Sequence, residues 1–100
     1  MRKSILGLTR EAAEDIAVQG LVFVTAEPAR LARFLTLTGL EPADVRKQAA
    51  TPQFLAAVLE YLLADESLLL SFTANTSLDP QAVAPALALL QRSATEGTSP

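Results

Sequence analysis

One hundred residues, half of them apolar, are enough for a single domain with its own core. The chain has no cysteine, histidine or tryptophan, which excludes disulfides, thiolate metal sites, cysteine nucleophiles and the commonest general base near neutral pH. A formal net charge of −3 argues against a generic nucleic-acid coat.

Arg2 and Lys3 are followed by an apolar run over only 5–8, too short for a signal peptide. No stretch approaches the roughly 20 apolar residues of a membrane span, since 62–72 is broken by Asp65, Glu66 and two serines. The expectation is a soluble cytoplasmic protein with no membrane contact.

Helix starts are written plainly. Pro28, Pro42, Pro52 and Pro80 each follow a residue that can cap a helix: Glu27, Glu41, Thr51 and Asp79. Proline is cheap at the first helical position, where its missing N–H would be unpaired anyway. Ahead of these, a first helix is predicted over 10–26, capped by Thr9, with Glu11, Glu14 and Asp15 at the end of the dipole that favours acids. At 100° per residue, Ala12, Ala13, Ile16, Ala17, Gly20, Phe23 and Val24 share one side. Val18, Leu21 and Val22 fall outside it, leaving the C-terminal half apolar nearly all round. Such a helix is either central in the fold, the reading favoured here, or part of a contact surface.

The second helix is predicted from Pro28 to a stop at Gly39, with Leu31, Phe34, Leu35 and Thr38 in one stripe and Leu40 folding back onto Leu35. A third, over 42–50, buries Val45 and Ala49 and exposes Arg46 and Lys47. The fourth, over 52–64, is apolar over more than half its circumference and is placed at the centre of the core. Asp65 caps a fifth helix, over about 66–74, with Leu68, Leu69 and Phe72 inward. The sixth starts at Asp79-Pro80 and is held by Val83, Leu87 and Leu90. Pro85 calls for a kink or a separate first turn there. Residues 93–100 lack apolar periodicity and should fray.

Chemistry is sparse. Glu60, Asp65 and Glu66 could form a hard-cation or acid/base site, but a cap followed by an acid at a helix start explains Asp65 and Glu66 without one. Glu11, Glu14 and Asp15 read as a solvated acidic face. No serine has a histidine partner, neither Lys3 nor Lys47 has an apolar setting, and no phosphate-binding glycine fingerprint exists. No cofactor, metal or catalytic residue is assigned, and an enzyme is not expected. The basic segment over 28–50 carries a local charge of +2, against −5 for the rest. It outlines a helix-turn-helix whose contacts to nucleic acid would be Arg30, Arg33, Arg46 and Lys47. Pro42 and Asp44 stand where base contacts are normally made, which weakens that outline.

The run Arg-Phe-Leu-Thr-Leu-Thr-Gly-Leu over 33–40, then Glu41-Pro42 and Val45-Arg46, then PQFLAAVLEYLLADESLLLSF over 52–72, resembles a family of short alphaproteobacterial proteins classed as a domain of unknown function. The likeness spans about 12–90. It implies a stand-alone cytoplasmic bacterial protein and supplies no activity or ligand.

The sequence therefore predicts an all-α fold: one compact orthogonal bundle of five or six short helices, with an ordered core over about 9–92 and flexible ends at 1–8 and 93–100. The leading functional expectation is a protein–protein interaction module using apolar positions left at the surface, Val18, Val22 and Leu37. Its partner would be another protein, a homodimer being one form. The alternative is a DNA-binding or transcription-associated domain acting through Arg30, Arg33, Arg46 and Lys47.

Overall fold

The computed structural model describes residues 8–98, with side chains described through Ala94. The ends expected to be flexible at 1–7 and 99–100 lie outside the described residues. Among the described residues there are six α-helices and no strand.

Local signals set most boundaries. Helix α1 is Arg10–Thr25, and its cap Thr9 accepts the Ala12 N–H at 3.1 Å. Leu8, just before the cap, packs against the core and fixes the entry of the chain. Helix α2, Pro28–Thr38, stops at Gly39, whose φ of 75° is open to glycine without strain and whose N–H donates to the Leu35 carbonyl at 2.8 Å. Helix α3 is Pro42–Gln48, two residues shorter than expected. It buries nothing completely: Val45 and Ala49, predicted as its inward residues, are only half-buried.

Helix α4, Pro52–Leu63, is capped by the Thr51 hydroxyl, which accepts the Phe54 N–H at 3.2 Å. Helix α5, Glu66–Thr76, has Asp65 as its cap, accepting from the Leu68 N–H, and outruns the expected stop by two residues. It ends at Ser77 with φ 59°, a left-handed position held here by a residue other than glycine. A 3₁₀ turn, Pro80–Ala82, precedes α6, Val83–Thr98. Pro85 therefore sits in the first turn of α6, where an N–H has no intrahelical acceptor to lose. Of the two expected outcomes, the separate first turn is the one adopted. The helix does not end near residue 92: it continues to Thr98, beyond the last apolar repeat.

Helices α1, α4 and α6 pack on one another, α5 lies on α4 and α1, and α2 leans on α1. The predicted centrality of α4 holds, with Phe54, Leu55, Ala56, Val58, Leu59 and Leu62 all buried. At Gly20 the backbone of α1 approaches α4 so closely that a Cβ there would lie 3.0 Å from Leu62 Cδ1 and 3.2 Å from Val58 Cγ1. Aromatic pairs tie the outer helices to this core. Phe72 of α5 meets Phe23 of α1 at 5.5 Å, and Phe34 of α2 stands edge-on to Phe54 and Tyr61 of α4 at 6.0 and 5.3 Å. The C-terminal half of α1 is not enclosed as favoured from sequence: Phe23 and Val24 are buried, Leu21 is half-buried, and Val18 and Val22 face solvent.

Candidate protein-contact site

The exposed apolar residues singled out from sequence lie on α1 and α2, the two helices joined at the Glu27-Pro28 reversal. Val18 and Val22, one turn apart on α1, are 45% and 62% exposed, and Leu37, near the end of α2, is 65% exposed. Every turn of α1 offers its inner side to α4 and α6, so residues at 11, 15, 18 and 22 form the outer stripe.

The corner is held by Arg30. The reversal at Glu27-Pro28 brings the first turn of α2 back over the last turns of α1, and the Arg30 guanidinium lies 3.9 Å from the Phe23 ring centroid. Its Nη1 donates to the Phe23 carbonyl, and its Nη2 pairs with Glu27 Oε2 at 3.3 Å. With its side chain only 19% exposed, Arg30 is an internal clamp. Beside it opens a cleft of about 320 Å³ lined by Val22, Phe23, Glu27, Arg30, Gln19 and Asn75, among others. This volume is at the lower end for small-molecule sites. The cleft has an aromatic and cationic floor, and the Thr76 hydroxyl on its wall is turned to the Phe72 carbonyl. That suits the seating of one side chain, with no activated nucleophile beside it.

The four basic candidates are not equivalent. Arg33, Arg46 and Lys47 are exposed, whereas Arg30 has its guanidinium spent on Phe23 and Glu27, so it is withdrawn from the set that would touch phosphates. Helix α3, the would-be recognition helix, has seven residues, and the Asp44 carboxylate accepts the Glu41 N–H at its start. The carboxylates considered for a cation are also engaged separately. Glu60 accepts from Gln91 Nε2 at 3.0 Å, and Asp65 caps α5. Among the described residues no group of three or more acidic, histidine or cysteine side chains is placed to hold a metal.

Sequence reasoning missed Leu70, exposed by 48% on α5. Its signal was the run Leu68-Leu69-Leu70: three consecutive helical residues span about 200°, so one of them must leave the core. It also missed the clamp, whose signal was the short turn joining Phe23 to Arg30.

These observations define a small all-α domain with exposed apolar side chains on α1 and α2 and an arginine bracing the corner between them. The chain belongs to the family described as protein of unknown function (DUF3572), whose model matches residues 10–93. Neither a curated protein nor a solved structure matches the chain. Among the described residues no helix is long and apolar enough to cross a membrane.

Proposed function

We propose that the chain is a non-enzymatic protein-interaction module that docks through the outer faces of α1 and α2, with Val18, Val22 and Leu37 as contacts. One observation carries the reading: these three are among the four large apolar side chains exposed among the described residues, while the other large apolar residues of α1 turn inward or are half-covered. Exposed apolar side chains, one of them on the rim of a cleft that an aromatic ring also lines, have the chemistry of a docking surface. The setting we propose is the cytoplasm of an alphaproteobacterium, on the strength of the sequence resemblance over 33–72.

The test is a parallel capture from the source cell with tagged wild type and a tagged Val18→Ser/Val22→Ser variant, washed at low and high salt. The reading expects a stoichiometric protein that survives high salt on wild type and is missing from the variant. An identical protein set on both would refute it. Nucleic acid released by salt, with no protein, would favour Arg33, Arg46 and Lys47 instead.

A further inference from the structure

The docking face has a chemistry that points to its occupant: we propose that the partner is a second copy of this chain, the outer stripe of α1 in one copy lying along the outer stripe of α2 in the other. This rests on the interaction reading above and names its partner.

The two stripes are complementary in sign and in order. On α1 Glu11, Asp15, Val18 and Val22, four of its exposed residues, follow one another at spacings of four, three and four, acidic first and apolar last. That is the spacing of the seam along which a second helix lies. On α2 Arg33 and Leu37, two of its exposed residues, follow at a spacing of four, basic first and apolar last. Laid parallel, the helices put Arg33 opposite Asp15. Leu37 then stands about 6 Å further along, between Val18 at about 4.5 Å and Val22 at about 10.5 Å, as a knob between two ridges. Asp15 retains its bond from Gln19 Nε2, which holds the carboxylate in place on the stripe.

Charge separation along the chain works in the same direction. The segment over 28–50 is positive by two and the remainder negative by five. Placing α1 parallel on α1 would oppose acid to acid, and placing it antiparallel would set Asp15 against Thr25 with no basic partner, while α1 on α2 opposes unlike charges, which sets register. Helices α1 and α2 pack against each other and are braced by Arg30. A two-fold relation between the copies repeats the contact, each α1 stripe on the partner's α2 stripe, giving a closed pair rather than an open chain. Val18, Val22 and Leu37 of both copies are then covered.

Sedimentation equilibrium of the full chain in low salt, from about 1 to 500 µM, reads the outcome. The mass is expected to rise from 10.6 kDa towards twice that value, with a dissociation constant on the order of 10 µM, as befits a small interface. Asp15→Arg and Arg33→Asp, both at exposed positions, each weaken association about tenfold or more, because the symmetric pair contains every reversed contact twice. Combining both changes in one chain, or mixing the two single variants one to one, restores association, since every contact is again between unlike charges. Circular dichroism of each variant checks that the helices are intact.

A wild type that stays at the monomer mass throughout overturns the proposal. So does a dimer indifferent to both substitutions, or a double variant as weak as the singles. A monomeric wild type that still captures a different protein through Val18 and Val22 overturns the second copy as partner while leaving the interaction reading standing.

Discussion

Gly20 is the position where the packing of α1 on α4 can be tested with a single methyl group. Glycine inside a helix costs about 1 kcal/mol relative to alanine, so Gly20→Ala on an open helix face would stabilise by about that amount. Here the new Cβ meets Leu62 Cδ1 at 3.0 Å and Val58 Cγ1 at 3.2 Å, with Leu59 Cδ2 behind at 3.8 Å. Leu62, Val58 and Leu59 are all completely buried, so none can swing aside into solvent. Overpacking of this kind costs about 1–3 kcal/mol, and the middle of that range exceeds the propensity gain. The net expectation is a loss of about 1 kcal/mol, a fall in melting temperature of roughly 4–8 °C for a domain of this size.

The assay is urea unfolding followed by far-ultraviolet circular dichroism, since Tyr61 is the only fluorophore of use in a chain without tryptophan. The midpoint should fall at unchanged slope. Leu62→Ala alone should cost about 2–5 kcal/mol. In that background the space left by Leu62 accepts the methyl, and Gly20→Ala becomes stabilising. A Gly20→Ala chain more stable than wild type, or one with the same effect in both backgrounds, would refute the close approach of α1 to α4 as the reason for glycine at this position.

Other expectations concern the turns, the clamp and the outer stripe. Gly39→Ala should lose about 1 kcal/mol in chemical unfolding through backbone strain alone, because a Cβ there meets nothing within 4 Å at its φ of +75°. Ser77→Gly should gain about 0.5–1 kcal/mol by the reverse argument, the φ of 59° being relieved; a loss would mean that its side chain makes an essential contact. Arg30→Met should cost about 1–3 kcal/mol by removing the bond to the Phe23 carbonyl and the stacking on the ring. Glu27→Gln should change stability by less than about 0.5 kcal/mol, since its carboxylate is 65% exposed. Equal effects from the two would contradict the clamp. The Val18→Ser/Val22→Ser variant should unfold within about 0.5 kcal/mol of wild type, as surface substitutions do; a large loss would show that these valines support the fold.

Where the causes are local, the amino-acid sequence alone determined the outcome. Thr9, Thr51 and Asp65 cap their helices because a hydroxyl or carboxylate beside the first turn needs only its own neighbours to find an N–H. Pro28, Pro42 and Pro52 open helices, and Gly39 closes one, for equally short-range reasons. The apolar richness of α4 was also legible, because a helix covered on most of its circumference has to be surrounded. The basic residues showed in the sequence as well, but not their separation into exposed Arg33, Arg46 and Lys47 and an inward Arg30.

Tertiary structure decided which of several apolar faces would be covered, because that depends on how many partner helices reach each side. Helix α1 meets α2, α4, α5 and α6 and still has one side uncovered, so Val18 and Val22 are left in water while Phe23, from the same run, is buried. Helix α3 finds no deep partner, so Val45 stays half-covered despite its apolar spacing. Arg30 turned inward only because the chain reverses at Pro28 and presents it with the ring and carbonyl of Phe23, a juxtaposition no periodicity encodes.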